Sequence, residues 1–115
     1  MDHTDVLLDA FTRIRAVVHR TLDGLPAEHL TARLDPEANT IAWLIWHLTR
    51  VQDDHIADVA SQDQVWLTDG WHDRFALPFD TRAIGYGQSP AEVATVTATP
   101  DLLAGYYDAV HQRTV

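Results

Sequence analysis

The stretch from residue 39 to residue 59, NTIAWLIWHLTRVQDDHIADV, constrains the fold more than any other part of the chain. At about 100° per residue, its apolar side chains fall within one broad arc of a helix. They are Ile41, Leu44, Ile45, Leu48, Val51, Ile56 and Val59. Such an arc is typical of a helix that packs against other helices. We therefore predict an amphipathic helix here, capped by Asn39 or Thr40.

An earlier helix is predicted from Thr4, as its N-cap, to Leu22. Its apolar side chains recur at spacings of three and four, which is one helical face. They are Leu7, Phe11, Ile14, Val18 and Leu22. Gly24 supplies a C-terminal stop. The connector over residues 25–38 holds a single helical turn at Ala27 to Leu30, and Pro36 separates it from the second helix.

Residues 61–88 carry no clear period, and Trp66, Trp71, Phe75 and Phe79 alternate with Asp, Gly and Pro. We expect a long ordered loop, held down by these aromatic side chains. A plain surface loop is the simpler interpretation, and a lid over a binding site is the alternative, since long loops in small domains are often functional.

Two helix starts follow this loop. Ser89-Pro90-Ala91-Glu92 combines a cap, a proline at the first helical position and a capping-box glutamate. That short helix should end before Thr99. Thr99-Pro100 repeats the cap and proline, and the final helix should run to the last residue, Val115. No strand pattern of any strength occurs, so the predicted class is all-α, arranged as an up-and-down bundle with three long helices.

Composition excludes several classes of function. The 115 residues correspond to one domain, 1–115, with a formal net charge of −9 and basic side chains that are all arginine, scattered singly. Such a chain is not expected to bind nucleic acid. No apolar run is long enough to span a membrane. The chain has no cysteine, hence no disulfide and no thiolate metal site. We expect a cytoplasmic protein.

The seven histidines raise the question of metal or acid–base chemistry. His47 lies at the border of the apolar arc beside Trp43, and His55 lies within the arc, so we expect His55 to pack in the core. The two are eight residues apart, roughly 12 Å along a helix, and one ion cannot bind both. If His47 binds a metal, its other ligands come from another helix. A buried histidine with a purely structural hydrogen bond is the alternative.

Other candidate ligands are weaker. Asp54 and Asp58 are four apart, and Asp108 and His111 are three apart, but both pairs fit exposed polar faces better. His72 belongs to the aromatic loop, and the remaining histidines, at positions 3, 19 and 29, are predicted to lie on the surface. We expect His47 to face a small-molecule pocket walled by Trp43, by Val51 and by residues of the last helix such as Tyr106 or Val110.

The helix NTIAWLIWHLTRVQDDHIADV resembles the second helix of the DinB-like superfamily, with its WLxWHL core. The segments QVWLTDGWHDRFALPFD, GYGQSP and DLLAGYYDAVHQRT resemble one branch of the same superfamily, in the same order. The resemblance covers most of the chain. The ordered succession of the four segments is much more specific than the helix motif alone.

The resemblance implies a four-helix bundle with a divalent metal, zinc or nickel, held by three histidines. One of them is the histidine of the WHL motif, His47 here, and the others come from a fourth helix. Members with known activity include thiol transferases and a maleylpyruvate isomerase that use low-molecular-weight thiols such as mycothiol or bacillithiol. The expected function is a metal-dependent thiol S-transferase acting on a small-molecule thiol and an electrophile.

The sequence departs from the family pattern because Val115 falls within what should be helix three, so that the fourth helix is missing. We therefore expect a domain incomplete at its C-terminus, with a metal site that His47 alone does not complete. Exposed apolar helix faces usually mark an interface, which favours a homodimer. The alternative function is a non-catalytic helical module that acts through self-association and has lost the metal site.

Overall fold

The computed structural model describes residues 2–33 and 38–115, and every regular element in these ranges is a helix. The long helices are α1 (His3–Leu22), α3 (Ile41–Ala60) and α7 (Pro100–Thr114). The short ones are α2 (Ala27–Leu30), α4 (Val65–Thr68), α5 (Trp71–Phe75) and α6 (Pro90–Ala94). This confirms the all-α class. None of the described helices combines the length and hydropathy needed to cross a membrane.

Local capping signals explain where most helices begin. Thr40, Ser89 and Thr99 each accept a hydrogen bond from a backbone N–H in the first turn of α3, α6 and α7, as predicted. The prediction for α1 was wrong by two residues. Asp2 rather than Thr4 caps this helix, because Asp2 and Asp5 form a reciprocal capping box.

The structure of the segments between the long helices agrees only in part with the structure predicted from the sequence. The predicted turn at Ala27 to Leu30 is α2, while Pro36 lies outside the described residues. Residues 61–88 are not irregular throughout, since they contain α4 and α5. The Asp53 carboxylate on α3 accepts the N–H groups of Val65 and Trp66 at 2.9 and 2.8 Å and so fixes the start of α4. Local sequence carries no sign of this distant contact.

Helix α7 packs against both α1 and α3, and the core lies around it. Leu103, Tyr106, Tyr107 and Val110 of α7 are almost wholly buried. Trp46 of α3 and the aromatic side chains of the 61–88 segment close over them, and Trp66 and Phe75 each lie within 6 Å of the Tyr106 ring centre. Trp66 and Phe75 of the predicted loop therefore belong to the core, and Trp71 and Phe79 are packed against it.

The predicted apolar arc of α3 is not its buried face. Of that arc only Ile45 is buried, while Leu44 and Val59 are 45% and 84% exposed. The buried face runs instead through Ala42, Trp43, Trp46, Thr49, Arg50, Asp53 and Ala57. It was missed because Thr49, Arg50 and Asp53 find hydrogen-bond partners inside the core, whereas a hydropathy pattern scores them as solvent-facing.

The predicted face of α1 is buried only towards its C-terminal end. Val18 and Leu22 are buried, whereas Leu7 and Ile14 are 58% and 40% exposed. The long helices thus leave apolar side chains uncovered on α1 and on one side of α3. This arrangement creates the groove in which the candidate site lies.

Candidate functional site

The His47 imidazole is held in one orientation by the main chain. Its Nδ1 lies 2.5 Å from the carbonyl oxygen of Ile84, in the segment that follows α5. Because a carbonyl oxygen can only accept, Nδ1 must carry the proton of the neutral ring and donate it in this bond. Nε2 therefore keeps a free lone pair, and no hydrogen bond reaches it from the described residues. This is the nitrogen that can take a proton or bind a metal.

Aromatic side chains contact two sides of the same ring. The Trp43 indole is stacked on His47 with ring centres 4.6 Å apart and planes inclined by 16°. Tyr86 meets the imidazole edge-on at 4.8 Å. The Trp43 Nε1–H in turn donates to the Gln88 amide oxygen at 2.9 Å. His47 is thus half-buried and fixed between α3 and the segment at residues 84–88.

An open groove of about 580 Å³ lies beside His47. Its lining residues are Phe11, Ile14, His47, Leu48, Val51, Gln52, His55, Ile56 and Tyr86. Side chains of α1 and α3 provide most of the walls, and these are mainly apolar. Gln52, the two histidines and the Tyr86 hydroxyl are the polar groups of these lining residues. A groove of this size and character suits a small molecule.

The prediction of the lining residues was right for Val51 and wrong for the residues of the last helix. Tyr106 and Val110 do not line the groove, because both side chains point into the core and are at most 1% exposed. Trp43 lies behind the His47 ring rather than in the lining. Phe11 and Ile14 of α1 take the place predicted for α7.

The prediction that His55 packs in the core was wrong. Its side chain is 68% exposed, and its Nδ1 lies 2.8 Å from the Val51 carbonyl of its own helix. The arc that carries His55 faces the open groove instead of another helix, so it remains accessible to solvent. His47 and His55 line the same groove, but the structure does not bring them into one ligand set.

Sequence reasoning also missed a buried polar cluster on the other side of α3. Arg50 is fully buried, and its Nη1 lies 2.5 Å from the Gln64 amide oxygen and 3.9 Å from Asp53. The Tyr106 hydroxyl donates to Asp53 at 2.7 Å. Burial, reinforced by the negative charge of Asp53, raises the pKa of Tyr106 well above its ordinary value. The signal in the sequence was an opposite-charge pair three residues apart, flanked by Trp46 and Ala57.

Most of the remaining candidates have structural partners. Asp108 accepts from His19 at 2.6 Å and from Arg15 at 3.0 Å, which joins α7 to α1. His19 is therefore half-buried rather than a free surface residue. Asp54 accepts from the Gln64 amide at 3.0 Å, and Asp58 is exposed. His72 lies edge-on to Trp66 at 5.9 Å.

His47 has the geometry of a metal ligand, but the described residues do not complete a site. A backbone carbonyl that fixes the tautomer is the usual support for a histidine ligand. However, no group of three histidine, aspartate or glutamate side chains comes together within residues 2–33 and 38–115. The part of the chain that the structure describes therefore does not, by itself, fit a three-ligand metal centre.

Comparison with known proteins places the chain among helical relatives. A family model described as mycothiol-S-transferase matches residues 6–114. A crystal structure of a conserved protein from Enterococcus faecalis is similar, with a TM-score of 0.89 and 26% identity. The match covers 99% of this chain and 68% of that one. No curated protein matches the chain.

Proposed function

Because the chain belongs to the mycothiol S-transferase family, a DinB-like family, we propose that it transfers a low-molecular-weight thiol to an electrophile in the groove beside His47. One observation carries this proposal: the His47 ring presents an unprotonated Nε2 at the wall of an open, mainly apolar groove. The family match supports the class of reaction, and the geometry around His47 supports the location of the site in this groove.

The chemistry assigned to His47 is proton transfer. A neutral imidazole with a free lone pair is a suitable general base. Nε2 takes the proton of the bound thiol, the resulting thiolate attacks the electrophilic carbon, and the leaving group departs as the new S–C bond forms. The thiolate is the nucleophilic form of sulfur, so removal of this proton is the step that activates the thiol.

The groove walls have separate roles in binding. The apolar side chains of Phe11, Ile14, Leu48 and Val51 suit the apolar part of the electrophile and exclude water around it. The Gln52 amide provides a hydrogen-bonding group for the polar body of the thiol. Tyr86, which is 69% exposed, stands over the His47 ring and limits access from the side of the loop.

A divalent metal, zinc or nickel, remains a prediction. His47 Nε2 is the one ligand proposed here, and because this atom has a single lone pair, metal binding is the alternative to its role as a base. No step of the reaction is assigned to the metal. Elemental analysis of purified protein tests the proposal: bound metal that disappears in His47→Gln supports the ligand role. Metal retained at the wild-type level in this variant contradicts it.

The activity is tested by following the loss of a small thiol in the presence of an alkylating electrophile. Mycothiol, bacillithiol and glutathione are compared as donors. His47→Gln should lower the rate by about 100-fold or more, the range usual for loss of a general base. His29→Gln is the matched control, since His29 is exposed on α2 away from the groove, and its rate should equal that of wild type. No turnover with any thiol, or equal rates in both variants, would contradict the proposal.

A further inference from the structure

The segment from Ala83 to Gln88 is tied to α3 by side chains that follow one another along the helix. His47 Nδ1 donates to the carbonyl of Ile84 at 2.5 Å. Arg50, three residues later, donates through Nε to the carbonyl of Ala83 at 3.1 Å. Two consecutive carbonyl groups of the segment are therefore fixed by two side chains that lie three residues apart on α3.

Arg50 is well suited to hold this segment because its side chain is buried and has several contacts. Its guanidinium is fully buried, packs over the Trp66 ring at 4.8 Å and hydrogen-bonds Gln64. A buried guanidinium is retained only with several partners. Its planar fork places separate donors on the Gln64 amide and on the Ala83 carbonyl, a geometry that the compact ammonium group of a lysine does not reproduce.

Gly85 allows the segment to approach the imidazole. Its φ is +110°, and a Cβ built at this position would lie 2.5 Å from His47 Nδ1 and 3.1 Å from the Trp43 ring. Any side chain here would collide with the ring or push the segment away. Gly87 also has a positive φ, of +74°, but a Cβ there would meet nothing within 4 Å.

We propose that Arg50 and Gly85 are positioning residues, which hold the Ile84 carbonyl on His47 Nδ1 and so present the lone pair of Nε2 to the groove. This proposal rests on the proposed function only where it assigns the Nε2 lone pair a role in thiol transfer. The tautomer and the ring orientation can be measured without any turnover, so the two can fail separately.

The test is the tautomer of His47, read from long-range ¹H–¹⁵N NMR spectra of the imidazole at about pH 8, where an ordinary histidine is neutral. Wild type should show His47 as a single tautomer protonated at Nδ1. Gly85→Ala should lose this pattern, giving a mixture of tautomers or the form protonated at Nε2. Gly87→Ala is the matched control, with the same kind of backbone but no contact, and should keep the wild-type pattern.

Arg50→Met gives the second variant, and where it folds His47 should show the same loss as in Gly85→Ala. A wild-type His47 protonated at Nε2 overturns the proposal, even if both variants fail to fold. The proposal is also overturned if Gly85→Ala keeps the Nδ1 tautomer, or if Gly87→Ala loses it to the same extent. If the wild-type protein shows the expected Nδ1 tautomer but catalyses no thiol transfer, only the proposed function is overturned.

Discussion

Residues on the two long sides of α3 have different roles. His47 and Val51 face the groove, whereas Arg50 and Asp53 lie in the core, where they join α3 to α4 and α7. One helix therefore carries both the candidate reactive group and the polar cluster that supports it. A substitution of Asp53 should therefore act mainly on stability and one of His47 mainly on function.

Asp53→Ala should be strongly destabilising. It removes the acceptor of the Val65 and Trp66 N–H groups and of the Tyr106 hydroxyl, and it leaves the Arg50 charge buried without its carboxylate. We expect a loss of about 3–5 kcal/mol in the free energy of unfolding. Asp58→Ala, on the exposed side of the same helix, should stay within about 0.5 kcal/mol of wild type. Urea denaturation measures both, and equal stabilities would contradict the role of Asp53.

At the scale of the elements, we expect His111, at the interface between α1 and α7, to make the stability of the protein depend on pH. Burial, with a smaller effect of the Arg15 charge, lowers the pKa of His111 below its ordinary value. Asp108 and His19 also face this imidazole. The folded pKa thus lies below the unfolded value of about 6.5, and in the interval between them only the unfolded chain binds the proton.

The contribution of His111 to the free energy of unfolding should therefore be fully present above about pH 6.5. It should fall as the pH drops from there to the folded pKa. Denaturation curves at a series of pH values test this. His111→Gln cannot take up this proton, and it should lose less stability than wild type in the same interval. An equal loss in both proteins would show that another group is responsible.

The elements also show what the sequence can predict. Ser89-Pro90 and Thr99-Pro100 gave correct helix starts, because a cap acts on residues two or three positions away. α4 was missed, because its start depends on the carboxylate of Asp53, twelve residues earlier in the chain. His55 was placed in the core on the assumption that the most apolar arc is the buried one. His47 was predicted as a groove residue and lies in the groove, but its partner Ile84 belongs to a loop that no periodicity describes.

For the whole molecule, the uncovered side chains of α1 favour self-association, and the homodimer remains a prediction. Leu7 and Val17 are 58% and 55% exposed, which is typical of a helix that meets another chain. Sedimentation velocity over a range of concentrations should show a dimer. Leu7→Ser should weaken it without destabilising the fold, whereas Val59→Ser, at the far end of α3, should not. A monomer at every concentration would contradict this prediction.

The central claim, that thiol chemistry takes place in the groove between α1 and α3, is tested most directly by NMR titration with an S-conjugate of a low-molecular-weight thiol. The proposal predicts saturable shifts for the methyl groups of Ile14, Leu48, Val51 and Ile56 and for the His47 ring, all of which line the groove. The account is contradicted if no signal shifts, or if the shifts cluster instead around Leu25 and Ala104, at the cavity between the end of α1 and the start of α7.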